Sequence, residues 1–179
     1  MRRAARIAGV VVALASASHA AAMLAPDKAP PLPEFPQRDA SQWLNSAPLS
    51  VADLSGKVVL LDFWTFDCVN CYRSIPWLKD LEQRLGARGL RVVGIHTPEF
   101  AHEKVPANVA KKLVEFKITH PVMLDPDFHY WNALGNQYWP AYYLVDRKGR
   151  LRALYVGETH SGDPQAVLIE GDVAKLLAE

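Results

Sequence analysis

The spacing of apolar residues predicts alternating strands and helices over most of the chain. A run of strand length that is apolar except for Asp62 occupies residues 58–63. The stretch after it, to about residue 85, repeats apolar side chains every three positions, which is typical of a helix. Two glycines, Gly86 and Gly89, predict where this helix ends.

The same patterns continue to the C-terminus. The sequence Asp146-Arg147-Lys148-Gly149 predicts a tight hairpin turn with glycine at a positive φ angle. Strand–helix–strand units followed by a hairpin and a last helix predict an α/β fold, with helices on both faces of a mixed sheet. Further strands are expected at 41–44, 91–96, 121–125, 141–145 and 151–156, and further helices at 106–117, at 128–134 and from 164 onward.

The N-terminal 40 residues differ from the rest in composition. Residues 1–22 combine three arginines, an apolar run and small residues at its end, which predicts a secretory signal peptide. An uncleaved membrane anchor is the alternative, although the apolar run is interrupted before the ~20 residues that a spanning helix needs. Residues 23–40 contain five prolines and predict an extended linker or tether. We therefore expect a periplasmic protein with a single domain at 41–179.

Charge excludes one class of partner. The formal net charge is +1, and removal of residues 1–22 leaves 17 basic and 19 acidic residues. No cluster of lysine and arginine occurs in the body of the chain, so we expect no binding to nucleic acid.

The only two cysteines, Cys68 and Cys71, lie where the strand pattern changes to the helix pattern. Unpaired N–H groups and the macrodipole at a helix N-terminus favour a thiolate. Cysteines at positions i and i+3 of a first turn are within disulfide reach. Cys68, nearer the N-terminus and more exposed, is predicted to be the nucleophile, and Cys71 the resolving thiol.

Other uses of two cysteines fit less well. A structural zinc site usually needs four ligands, and no second cysteine pair is present. A haem attachment motif would need histidine after the second cysteine, where this chain has Tyr72. A purely structural disulfide remains an alternative to a redox-active one.

Three separated stretches resemble exported TlpA-like proteins and the soluble domain of DipZ-type thiol-disulfide interchange proteins, both of the thioredoxin-like superfamily. They are 63–71 around the cysteines, 94–100, and 135–141 with the sequence Gly-Asn-Gln-Tyr-Trp-Pro-Ala. Pro76 also matches the proline in the active-site helix of thioredoxins. The resemblance implies a thioredoxin-like three-layer sandwich. Asp67, however, stands where ordinary thioredoxins have tryptophan, and Val69-Asn70 stands where they have Gly-Pro.

Two aspartates are candidates for tuning the cysteines. Asp62 lies in an otherwise apolar strand, where burial would raise its pKa and let it accept the proton of Cys71. The resemblance matches it to the buried aspartate of thioredoxins, and a locally hydrogen-bonded strand-end residue is the alternative. The charge of Asp67 would disfavour a thiolate on Cys68, although a solvated loop acid that only slightly tunes the pKa of Cys68 is the favoured interpretation.

The resemblance also implies a substrate-binding edge. Pro140 matches the cis-proline that faces the dithiol, and there the backbone of Trp139 would pair with an extended substrate strand. Trp64 and Trp139 would flank the sulfurs, with core packing as the alternative for each. His96 and Glu99 follow a strand at its carboxyl end and are candidates for tuning the thiols or holding substrate.

The sequence therefore predicts an exported thiol-disulfide oxidoreductase that reduces protein disulfides, needs no cofactor and acts as a monomer. Its oxidised form would need an upstream donor, such as a membrane electron shuttle. A thiol peroxidase is an alternative, because Thr65-Phe66-Asp67-Cys68 matches part of the peroxiredoxin motif, although Leu61 replaces the expected proline. A copper-delivery protein is another, although such proteins usually have three residues between the cysteines.

Overall fold

The computed structural model describes residues 23–179, so the predicted signal peptide at 1–22 lies outside the described residues. Within the described part, four α-helices and six strands alternate broadly as expected. The strands are Trp43–Leu44 (β1), Val58–Trp64 (β2), Leu90–His96 (β3), Val122–Leu124 (β4), Ala141–Val145 (β5) and Leu151–Val156 (β6). The helices are Val69–Leu85 (α1), Pro106–Phe116 (α2), His129–Ala133 (α3) and Pro164–Ala178 (α4).

The strands form one mixed sheet in the order β1-β4-β3-β2-β5-β6. β2 lies inside the sheet, parallel to β3 and antiparallel to β5, and all seven of its residues are buried. This explains why β2 is apolar at every position except Asp62 rather than alternating. The hairpin between β5 and β6 turns at Gly149, whose φ of 71° confirms the predicted positive angle.

Alternate residues of β2 face two different packed layers. Val58 and Leu60 pack under α1 and α4, and residues at the start of α1 also pack against α2. Leu61 and Phe63 point to the other face, where α3 and the N-terminal segment cover the sheet. The predicted α/β fold with both faces covered is confirmed.

The proline-rich segment is packed rather than extended away from the domain. Phe35 is fully buried and its ring makes an edge contact with Trp43, with centroids 5.4 Å apart. Leu32 is also buried, and its backbone N–H donates to the carbonyl of Gly149 at 2.8 Å. The prediction that 23–40 form a tether is wrong for these residues, because their apolar side chains complete one face of the core.

A short 3₁₀ helix at Ala101–Lys104, which the sequence pattern did not predict, follows β3 and precedes α2. It places the side chain of Glu103 within hydrogen-bond distance of the backbone N–H of Asp67, the residue before Cys68. Among residues 23–179, no helix combines the length and the apolar character needed to cross a membrane.

Candidate active site

Cys68 and Cys71 form a disulfide at the N-terminus of α1, with their Cα atoms 5.2 Å apart. Cys68 is the N-cap residue, and its Sγ accepts the backbone N–H of Cys71 at 3.1 Å. Cys68 is half-buried, whereas Cys71 is only 3% exposed. Cys68 is thus the more exposed cysteine of the pair, as the sequence predicted, and the order in which the two react stays a prediction.

Asp62 lies on the α1 face of β2, on the same side as Leu60 and Trp64. It is 6% exposed, and burial raises the pKa of its carboxyl to about 7. Its Oδ1 has no hydrogen-bond partner among the described residues. A carboxyl group with this pKa exchanges protons readily near neutral pH, as a general base for Cys71 requires.

Trp64 occupies the core beneath the disulfide. It is 2% exposed and belongs to the same apolar cluster as Cys71 and Ile75. Its burial does not fit the predicted contact with substrate and agrees with the alternative of core packing.

An open cleft of about 420 Å³ borders the exposed side of the disulfide. Trp139 forms part of its wall and is held by a hydrogen bond from its Nε1 to the carbonyl oxygen of Thr97, at 3.0 Å. Pro140 is buried, and the peptide bond that joins it to Trp139 is cis, as the resemblance implied. The cleft is lined by Asp67, Cys68, Val69, Asn70, Glu99, Phe100 and Trp139.

His96 does not reach the cleft. It is 1% exposed at the end of β3, stacked on Phe66, and burial lowers its pKa to about 4. Its Nε2 lies 3.4 Å from the hydroxyl oxygen of Thr65. A neutral, buried imidazole supports the loop before the cysteines, whereas the predicted companion Glu99 is exposed at the cleft.

Glu103 is a site residue that the sequence interpretation missed. Its side chain is buried, and its carboxylate accepts hydrogen bonds from the Thr65 hydroxyl and from the backbone N–H groups of Asp67, Glu99 and Phe100. Burial by itself would raise the pKa of Glu103, but these donors together lower it below the usual value. No local pattern marked it, because the short 3₁₀ helix that carries it was not predicted either.

Asp67 is exposed and paired. Its Oδ2 lies 2.6 Å from Nε2 of His102, whose side chain is also exposed. Asp67 directly precedes Cys68 and lines the cleft. Within residues 23–179, no group of three or more histidine, cysteine or acidic side chains is arranged as metal ligands would be.

The chain matches the Redoxin family model over residues 27–168. It is 45% identical over 119 residues to Protein DipZ of Mycobacterium tuberculosis (strain CDC 1551 / Oshkosh), a match that covers 65% of this chain and 17% of DipZ. A 40% match to Protein SUPPRESSOR OF QUENCHING 1 of Arabidopsis thaliana covers 74% of this chain and 12% of that protein. The chain therefore spans less than a fifth of each of these relatives.

Matches over nearly the whole length of smaller proteins also occur. Thiol-disulfide oxidoreductase YkuV of Bacillus subtilis (strain 168) is 29% identical over 149 residues, which are 83% of this chain and 95% of YkuV. Among solved structures, a thiol-disulfide isomerase from Corynebacterium glutamicum superposes with a TM-score of 0.71 at 25% identity, covering 86% of this chain and 99% of the other. The thioredoxin-like fold is thereby shown, and the protein belongs to the redoxin family.

Proposed function

We propose that this thiol-disulfide oxidoreductase of the redoxin type works in the reducing direction, on disulfides of proteins in the periplasm. The observation that supports it most is the unequal exposure of the Cys68–Cys71 disulfide, with Cys68 beside an open cleft and Cys71 buried. The predicted signal peptide at 1–22 supports export.

The reaction begins with the reduced pair. The Cys68 thiolate attacks one sulfur of a substrate disulfide, which forms a mixed disulfide and releases the other substrate sulfur as a thiolate. Asp62 accepts the proton of the Cys71 thiol, and the resulting thiolate attacks Sγ of Cys68. The second substrate thiolate leaves, so the substrate gains two electrons and Cys68–Cys71 becomes a disulfide.

Substrate would bind along the cleft as an extended segment. In this proposal the backbone of Trp139, before Pro140, pairs with the substrate strand, and Glu99 contacts it from the opposite wall. A membrane electron donor would then reduce Cys68–Cys71 for the next cycle. The protein would act as a monomer.

The charge around the cleft supports the reducing direction. Asp67 and Glu99 line it, and the described lining residues include no lysine or arginine. Negative charge near Cys68 disfavours the thiolate, and a less stabilised reduced form makes a dithiol a stronger reductant. In this proposal the domain at 41–179, together with the packed segment before it, contains every residue that the reaction needs.

The equilibrium reduction potential of Cys68–Cys71, read by thiol trapping in a dithiol buffer, tests the direction of electron flow. We expect a value near that of thioredoxin, about −270 mV, or lower. A value near −120 mV would reverse the proposed direction, and the absence of any reversible couple would refute the redox function.

Trapping tests the roles of the two cysteines separately. With Cys71→Ser, periplasmic extracts should yield mixed disulfides on Cys68 that disappear on adding reductant, because the resolving thiol is missing. The matched variant Cys68→Ser should trap few or none. Equal trapping by both variants would contradict the assignment, and peroxide consumption by Cys71→Ser with an added thiol would instead favour the peroxidase. Fractionation of cells that express the full chain tests export.

A further inference from the structure

We propose that Glu103 is a positioning residue, whose carboxylate joins the two walls of the cleft and sets the reactivity of Cys68. The inference rests on the proposed redox function. It concerns a residue that touches neither the sulfurs nor the substrate groups that exchange electrons with them, but holds the backbone on both sides of the disulfide.

Each carboxylate oxygen of Glu103 accepts hydrogen bonds from a different loop. Oε1 accepts the hydroxyl of Thr65 and the backbone N–H of Asp67, which lies 3.0 Å away and immediately precedes Cys68. Oε2 accepts the backbone N–H groups of Glu99 and Phe100, at 2.7 and 2.8 Å. One oxygen thus fixes the loop that enters α1, and the other fixes the opposite wall of the cleft.

These backbone groups depend on Glu103. The N–H groups of Asp67, Glu99 and Phe100 have no backbone acceptor among residues 23–179. Their bonds to an ionised carboxylate are charge-assisted, and such bonds are roughly twice as strong as neutral ones. Without the carboxylate, three half-buried backbone donors at the cleft would lose the acceptor that satisfies them.

A glutamine could not replace this residue completely. Its amide oxygen could still accept the N–H groups of Glu99 and Phe100, while its NH₂ group could donate to the Thr65 hydroxyl. That NH₂ group would then face the N–H of Asp67 and could not accept it. Glu103→Gln therefore removes the negative charge and leaves the backbone N–H of Asp67 without its acceptor. It keeps the shape of the side chain and the hydrogen bonds to Glu99 and Phe100.

The charge has a direct consequence for Cys68. Glu103 holds a buried negative charge one peptide unit from the nucleophile, where it disfavours a thiolate. The other charged and titratable groups around the disulfide stay unchanged in the experiment. On the cleft side and around the loop they are Asp67 with His102, Glu99 and His96, and on α1 and below it they are Arg73, paired with Glu158, and Asp62.

The experiment measures the pH profile of alkylation of Cys68 by iodoacetamide, in a Cys71→Ser background. We expect Glu103→Gln to raise the acid dissociation constant of Cys68 about tenfold, because one fixed negative charge is gone. Glu115→Gln, an exposed carboxyl on α2 outside the cleft lining, is the matched control and should change it less than twofold. An unchanged pH profile in Glu103→Gln, with or without lower stability, would overturn the inference and leave Glu103 a structural residue.

A second measurement covers the case in which Glu103→Gln does not fold. Amide hydrogen exchange of the wild-type protein should show Asp67, Glu99 and Phe100 protected at least tenfold relative to other loop amides. Fast exchange at these three positions would mean that the carboxylate does not bridge the loops, which refutes the inference. Because exchange and alkylation need no redox partner, a missing reversible couple would count against the proposed function alone.

Discussion

Asp62 places a carboxyl group in apolar surroundings. Its strand neighbours on the same face are apolar, and its Oδ1 has no partner among the described residues. A carboxyl group in such a place is tolerated when it stays protonated, and burial accordingly raises its pKa to about 7. A buried carboxyl group of this kind lowers stability once it is ionised, a cost that the proposed role of Asp62 as proton acceptor for Cys71 would explain.

The first prediction concerns Asp62→Asn and the dependence of stability on pH. Asp62 in the unfolded chain loses its proton near pH 4, whereas in the folded protein it does so near pH 7. The free energy of unfolding of the wild type is therefore highest below pH 4, where Asp62 is protonated in both states. The stability that protonated Asp62 allows is lost as the pH rises through 7. The variant should therefore gain about 2–4 kcal/mol in free energy of unfolding relative to wild type between pH 4 and pH 8.

Urea unfolding of the oxidised proteins at several pH values measures this gain. Asp127→Asn, which changes an exposed carboxyl, is the control and should show no comparable gain. The same Asp62→Asn protein should resolve mixed disulfides more slowly at neutral pH, by roughly 10- to 100-fold, because general-base help is lost. A difference in stability that stays flat from pH 4 to pH 8 would show that Asp62 is not buried as the structure has it.

Among the elements, the segment before β1 contributes more than its composition suggests. Its prolines leave the backbone without several N–H donors, yet Leu151 donates to the carbonyl of Pro30 at 2.9 Å, and the Tyr130 hydroxyl donates to that of Pro33 at 3.0 Å. Phe35 then fills the space between Trp43 and Tyr130. The segment is part of the domain because its carbonyls and apolar side chains both find partners there.

The second prediction tests this packing with Phe35→Ala. Removing a fully buried aromatic ring should lower the free energy of unfolding by about 3–5 kcal/mol, from the lost burial and the cavity left behind. Leu24→Ala, in the same segment but 44% exposed, should cost less than about 1 kcal/mol. Chemical denaturation of the two variants distinguishes a packed segment from a freely moving tether, because a tether would give small and equal losses of stability.

Local sequence patterns predicted the elements well because apolar spacing is a local property. β2, β5 and β6 begin at the predicted residues, and α1 ends at Leu85 as expected. The same patterns could not place Phe35, whose burial depends on a surface assembled from distant strands. They could not find Glu103 either, because it bonds Thr65 and Asp67 across 38 and 36 residues and stands in a polar stretch that resembles an exposed loop.

At the scale of the whole molecule, Arg152 joins both ends of the described chain. Its side chain is 3% exposed and donates to the carbonyl of Leu24 at 2.7 Å, to Asp146 at 3.2 Å and to Glu179 at 2.9 Å. Asp146 is itself buried and also accepts backbone N–H groups of the β5–β6 turn. One guanidinium group thus ties the N-terminal segment, the hairpin and the end of α4 together.

The third prediction follows from that arrangement. Arg152→Met keeps much of the apolar stem but leaves the Asp146 carboxylate buried without its cation, so the free energy of unfolding should fall by about 3–5 kcal/mol. Glu179→Gln removes only the half-exposed partner and should cost about 0–1 kcal/mol. Denaturant unfolding of both variants separates the buried contact from the exposed one. Equal, small losses would mean that the contacts of Arg152 with the two ends of the described chain contribute little to stability, and that the sheet and its helices are stable without them.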